Sequence, residues 1–109
     1  MNAPLPRALA LTAAEQAELR AILARILSPD VRVWVFGSRA GGTPKPWSDL
    51  DLALEGPAPL PLPVMAELAE AFEESALPWK VDLVDRATVS EAFGRIIDAG
   101  KMAFPSETA

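Results

Sequence analysis

Asp49 and Asp51 stand two residues apart in Ser48-Asp49-Leu50-Asp51-Leu52, and Asp82 stands between Val81 and Leu83. In an extended chain, residues i and i+2 share a face and lie about 7 Å apart. The first two carboxylates can therefore converge on one cation while Leu50, Leu52 and Leu54 turn toward a core. An isolated Asp-x-Asp is more often a solvated edge strand. Asp is nonetheless disfavoured within strands, so two on one face call for a reason. With Val81 and Leu83 packed on helices, Asp82 points to the same face as Asp49 and Asp51 if the two strands are neighbours. Three clustered carboxylates repel one another unless cations compensate, and oxygen-only ligation favours Mg²⁺ or Mn²⁺. A pair of such ions about 4 Å apart stabilises both the attacking and the leaving oxygen of a phosphoryl transfer. Asp85 has the opposite phase and begins a loop, which reads as a turn or cap.

Gly37-Ser38 supplies a second element. A strand that ends in Gly-Ser and runs into a helical turn presents backbone amides and a hydroxyl to an anion. Glycine lets the backbone approach closely because it has no side chain to obstruct a ligand. The plain alternative is a tight turn in which Ser38 is an N-cap. A Walker-type phosphate loop does not fit, because Thr43-Pro44 follows Gly42 where Lys-Ser/Thr is required.

The elements that must position these residues follow from periodicity. Residues 1–11 hold two prolines and no period and read as a loose tail. Thr12-Ala13-Ala14-Glu15 fits a capping box, and Leu19, Ile22, Leu23, Ile26 and Leu27 fall on one helical face until Ser28-Pro29-Asp30. Residues 31–36 are β-branched and aromatic, apolar on both faces apart from Arg32, which suits a strand well inside a sheet. Residues 50–54 alternate as a half-buried strand, and 57–63 form a proline-rich stiff linker. A second helix turns Met65, Leu68, Ala69, Phe72 and Ala76 inward. Residues 79–84 give a third strand. Thr88-Val89-Ser90-Glu91 fits another capping box, for a third helix with Val89, Phe93, Ile96 and Ile97 as its stripe and Gly100 as its stop. The order predicts one α/β (α+β) domain over 12–104, a short sheet with helices packed on one face, and a frayed tail at 105–109.

The chain has 109 residues, the size of one domain, with 10 basic and 15 acidic side chains and a net charge of −5. It contains no Cys, His or Tyr. Disulfides, Cys/His zinc sites, thiolate nucleophiles and Ser-His-Asp triads are thus excluded within it. Its acidity disfavours tracking an extended nucleic-acid backbone, yet permits a small phosphorylated ligand held through metal ions. No apolar run approaches the ~18 residues of a membrane span, and a cytoplasmic location is expected.

Together, Phe36-Gly37-Ser38, a ten-residue spacer, Asp49-Leu50-Asp51 and the later Val81-Asp82-Leu83 resemble the DNA polymerase beta-like nucleotidyltransferase superfamily. The phrases Val33-Trp34-Val35-Phe36-Gly37-Ser38-Arg39, Ser48-Asp49-Leu50-Asp51-Leu52 and Leu77-Pro78-Trp79-Lys80-Val81-Asp82-Leu83 are similar to the minimal nucleotidyltransferases (MNT) that pair with a small helical HEPN protein. The resemblance implies a short mixed sheet of nucleotidyltransferase fold. It implies that Gly37 and Ser38 hold the triphosphate, and that Asp49 and Asp51 ligate the metals. Asp82 would then complete the second metal site and help to deprotonate an acceptor hydroxyl. The product would be NMP, most readily AMP from ATP, joined to that hydroxyl, with pyrophosphate leaving. Relatives often carry a second basic residue where this chain reads Arg39-Ala40-Gly41-Gly42, so phosphate charge falls to Arg39 or Lys45, unless these are solvated surface charges. Trp47 either stacks on a base or packs half-buried.

Only 27 residues follow Asp82, so acceptor recognition is expected from another subunit, giving a homo- or hetero-oligomer. In related pairs the nucleotidyltransferase is the antitoxin and adenylylates its HEPN toxin. Two alternatives stay open: a non-catalytic subunit that neutralises its partner by contact, and a transferase acting on a small-molecule hydroxyl.

Overall fold

The structure, a computed structural model, describes residues 9–104. The expected frayed end at 105–109 and the first eight residues of the expected tail lie outside the described residues. Helix α1 (Ala13–Ile26) opens on the foreseen capping box: Thr12 Oγ1 accepts from the Glu15 amide at 3.1 Å, and Glu15 Oε1 accepts from the Thr12 amide at 2.9 Å. These bonds satisfy two amides that a helix start leaves without partners. Strand β1 (Arg32–Phe36) follows, then a single 3₁₀ turn at Gly37–Arg39. Next come β2 (Leu50–Glu55), α2 (Leu62–Glu73), β3 (Val81–Asp85), α3 (Glu91–Gly100) and a two-residue β4 (Met102–Ala103).

The strands form one mixed sheet in the order β3-β2-β1-β4. β2 is antiparallel to β1 and parallel to β3, and β4 adds an antiparallel edge to β1. The parallel pair is joined through the crossover helix α2, as such a connection requires. Leu50, Leu52 and Leu54 of β2 and Val35 of β1 are fully buried, in one cluster with Leu19, Ile22 and Leu23 of α1 and Leu68 and Phe72 of α2. Burying each such side chain contributes about 1.5–3 kcal/mol, so this face of the sheet anchors the fold.

The expected short mixed sheet with packed helices is present, and the opposite face also receives some helical cover. α1 and α2 cover the leucine face. α3 instead brings Phe93 edge-on to Phe36, with ring centroids 5.9 Å apart. Phe36 is the β-ladder partner of Asp51 and so shares the acidic face. Ala53 and Ile97 are fully buried but outside the main cluster. The cause was visible in β1, whose apolar residues on both faces need cover on both. The candidate site lies on that same face beside Phe36, where β1 ends and β2 begins.

Several local expectations change. Leu9 bridges to Ala40, the Ala10 amide donates to the Arg39 carbonyl at 2.9 Å, and Leu9 and Leu11 pack on the core, so residues 9–11 are part of the domain. The N-cap of α3 is Ser90, whose Oγ accepts from the Phe93 amide at 3.1 Å. Thr88 instead closes a turn onto the Asp85 carbonyl at 3.1 Å. Gly100 is the last helical residue, Lys101 is the C-cap, and Gly37 and Gly41 are the glycines with positive φ among the described residues. Ile96 points outward at 67% exposure, Ala69 on α2 is exposed rather than inward, and Ala76 is exposed beyond the end of that helix.

Candidate active site

The site gathers where β1 ends and β2 begins. The antiparallel return sets Phe36 opposite Asp51, so the backbone leaves β1 directly beside the Asp51 carboxylate. Gly37 there has φ of 76°. A Cβ at this position would collide with Asp51 Oδ2. Both the left-handed backbone and the close approach demand glycine. Ser38 follows, exposed, inside the 3₁₀ turn. Gly42 folds back over it so closely that a Cβ would meet the Ser38 carbonyl oxygen at 2.7 Å.

The parallel pairing sets Asp51 directly opposite Asp82 in register, while Leu50 pairs with Val81 and Leu52 with Leu83 on the core side. The two carboxylates therefore project from neighbouring strands on one face, about 4.8 Å apart at the backbone. Two unit charges at that separation repel by roughly 1 to 3 kcal/mol, depending on screening. Asp49, exposed and just before β2, adds to the same field. Burial first, then the charges of Asp82 and Asp49, hold the Asp51 carboxyl above its ordinary range. Among the described residues, no group of three or more His, Cys, Asp or Glu is already gathered tightly enough to hold a metal ion. The donor set itself, hard oxygens carrying uncompensated negative charge, suits a divalent cation that draws further oxygens from elsewhere.

Of the two basic residues, Arg39 departs from expectation. Arg39 is neither a free phosphate ligand nor a solvated charge: it is 6% exposed. Its Nε and Nη2 donate to the Ser48 carbonyl at 3.1 and 2.9 Å, and Nη1 donates to the Ala10 carbonyl at 3.0 Å. Nη2 also reaches the Lys45 and Pro46 carbonyls at 3.4 and 3.3 Å, and the guanidinium lies 4.6 Å from the Trp79 ring centroid. Lys45 is exposed, with its ammonium 5.6 Å from the centroid of Trp47. Trp47 is 71% exposed, which rules out the half-buried packing role.

Asp85 was foreseen as a turn or cap and does more. It is buried; Oδ1 accepts from the Ala87 amide at 3.0 Å, and Oδ2 accepts from the Leu60 amide at 2.7 Å. It thereby fastens the proline-rich linker to the end of β3. Its phase gave the turn, but no local pattern announced the long-range bond. Arg39 likewise gave no signal beyond being a lone charge next to Ala-Gly-Gly. A shallow depression of about 390 Å³ lined by Asp30, Arg32, Glu55, Gly56 and Pro57 lies at the other end of the β1–β2 ladder and lacks the glycine-carboxylate arrangement.

No helix among the described residues is long and apolar enough to cross a membrane.

Comparison with known proteins meets this geometry from outside. The family model described as a nucleotidyltransferase domain matches residues 17–103, which include every residue of the acidic site and the Gly-Ser turn. A protein of Haemophilus influenzae named probable protein adenylyltransferase MntA is 51% identical over 83 residues, 76% of this chain and 72% of that protein. A crystal structure of a toxin–antitoxin complex with AMP-PNP contains a chain 26% identical to this one, with a TM-score of 0.69, covering 85% of this chain and 74% of the other. A structure of a tri-AMPylated Shewanella oneidensis HEPN toxin in complex with an MNT antitoxin superposes with a TM-score of 0.62 over 84% of this chain and 69% of the other, a likeness of fold at 22% identity. With the mixed sheet, the Gly-Ser turn and the opposed aspartates all in place, this chain belongs to the nucleotidyltransferase domain family and is a minimal, MntA-like nucleotidyltransferase.

Proposed function

We propose that this chain transfers AMP from ATP to a hydroxyl on a small helical HEPN-type partner, and so serves as the antitoxin and catalytic subunit of a toxin–antitoxin pair. The observation that carries this reading is the in-register pairing of Asp51 with Asp82, with Gly37 seated against Asp51. The 51% identity to a protein named as a probable protein adenylyltransferase supports the choice of adenylate and of a protein acceptor.

In the reaction, the acceptor oxygen bonds to the α-phosphorus, the bond from that phosphorus to pyrophosphate breaks, and the hydroxyl proton is released. Gly37 and Ser38 bind the triphosphate through backbone amides and the Ser38 hydroxyl. Asp49, Asp51 and Asp82 would hold Mg²⁺ or Mn²⁺, which supplies charge neutralisation for the phosphates when bound. Asp82, exposed at the rim, helps to take up the acceptor proton. The Asp51 carboxyl is raised by its burial first and then by the neighbouring charges of Asp82 and Asp49.

The open spacing of the three aspartates favours one second reading, a subunit that neutralises its partner by contact alone. Co-expression with the partner separates the two. Adenylate transfer predicts a partner whose intact mass rises by one or more AMP units with the wild-type chain and not with Asp49→Asn/Asp51→Asn. An unmodified partner that is nevertheless neutralised equally by both chains would overturn it.

A further inference from the structure

Arg39 carries a permanent charge into a buried position, where a neutral side chain would fill space without loss of hydration. Among the described residues the partners it finds there are four carbonyls and the face of Trp79, rather than a carboxylate. Apart from Ala10, those partners belong to the segments that carry the site. Arg39 itself follows Ser38 in the 3₁₀ turn. The Ser48 carbonyl, which accepts from two of its nitrogens, immediately precedes Asp49. Trp79 lies three residues before Asp82. Asp49 has particular need of such support. Unlike Asp51 it stands outside β2, so no β-ladder bond fixes its backbone. The loop before it is a turn closed by the Ser48 amide on the Lys45 carbonyl at 3.0 Å and by the Lys45 amide on Ser48 Oγ at 3.0 Å. Arg39 grips both ends of that turn from below.

We infer that Arg39 is a positioning residue: its guanidinium fork locks the Gly-Ser turn, the approach to Asp49 and the entry to β3 into one unit, and so sets Asp49 against Asp51 and Asp82. A lysine cannot replace it, because a single ammonium lacks the planar fork that spans these carbonyls and the flat face that stacks on Trp79. The inference rests on the proposed nucleotidyl transfer for its kinetic consequence, though not for its structural one.

The test compares wild type with Arg39→Lys and Arg39→Met. Hydrogen exchange is read at the Ser48 and Leu50 amides, which in wild type are bonded to the Lys45 and Lys80 carbonyls. Exchange at both should quicken by about tenfold or more in either variant while the amides of β1 and of β2 beyond Leu50 hold. Unchanged exchange overturns the inference whether or not the chain transfers nucleotide. With ATP and partner, kcat should fall on the order of 10²-fold in both variants, as misplacement of a reacting group by about 1 Å does. The nucleotide KM should move by less than about threefold, since ground-state binding is not what is lost. Binding of AMP-PNP at saturating Mn²⁺, read by calorimetry without turnover, should likewise stay within about threefold of wild type in both. An Arg39→Lys chain with wild-type kcat overturns the inference, as does a defect confined to KM, which would mark direct phosphate binding. If both variants unfold, Trp79→Leu removes the stacking face alone and should lower kcat about tenfold; full kcat in that variant overturns the inference. Absence of metal-dependent binding in wild type would instead overturn the proposed function.

Discussion

Two groups of carboxylates show opposite uses of negative charge. At the end of α3, Asp98 accepts from Arg86 at 2.8 and 3.2 Å and from Lys101 at 3.1 Å, and these bonds hold it down to about 2. Lys101 also sits 4.2 Å from the Trp34 ring centroid, and Trp34 donates to Glu55 at 2.8 Å. At the other group, Asp51 faces Asp82 across the ladder with Asp49 alongside, and its carboxyl is pushed up. One region satisfies its charges internally and contributes to the folded state. The other leaves like charges facing one another across the ladder, with no basic side chain bonded to them among the described residues.

The signs differ accordingly. Asp51 has a folded value above its unfolded one, so the native state holds the extra proton in between. Its ionisation therefore weakens the fold as pH rises through the raised value. Asp98 has a folded value of about 2, below its ordinary 3.8. Its contribution is present above the unfolded value and is lost as pH falls through about 2.

The largest effect should come from Asp49→Asn/Asp51→Asn. Loss of charge stabilisation worth several kcal/mol corresponds to about 10³-fold or more in kcat, measured as adenylate transfer with saturating Mg²⁺. Next is Gly37→Ala, which forces a left-handed residue to carry a Cβ and drives that Cβ into Asp51. It should lower stability by about 1–2 kcal/mol, read from the urea midpoint, and impair transfer as well. Third, Asp51→Asn alone should raise Tm at neutral pH without metal, by about 4–8 °C for each kcal/mol of repulsion relieved. That gain should shrink as pH falls through the raised Asp51 value. The smallest effect belongs to Asp98→Asn, because its pairs are solvent-screened. Its Tm should fall slightly above pH 4, and the difference from wild type should vanish near pH 2. A Tm that falls rather than rises in Asp51→Asn would erase the contrast between the two regions.

How much of this was legible follows from what each residue needs. Leu50, Leu52 and Leu54 alternate with Asp51, so the sequence alone assigned one side to the core and the other to chemistry. The pairing of Asp51 with Asp82 required only that the two strands be neighbours. The Thr12–Glu15 capping box is closed within four residues and was readable as such. Illegible features are those settled across distance. Arg39 finds its partners at positions 10, 45, 46, 48 and 79, and Asp85 reaches back to residue 60. β4 has two residues, too few for any period, and exists because the edge of β1 was available at Trp34 and Val35. The placement of α3 lay between these cases: its apolar stripe was plain, but not that Phe93 would meet Phe36 on the acidic side.

The most direct test is calorimetric titration of the purified chain with AMP-PNP, with and without Mn²⁺, beside Asp49→Asn/Asp51→Asn. A site built from Gly37, Ser38 and the opposed aspartates predicts binding that needs the metal and disappears in the double variant while its fold persists. Equal binding by both chains, or binding indifferent to Mn²⁺, would contradict the assignment of these carboxylates to a nucleotide-bearing metal site.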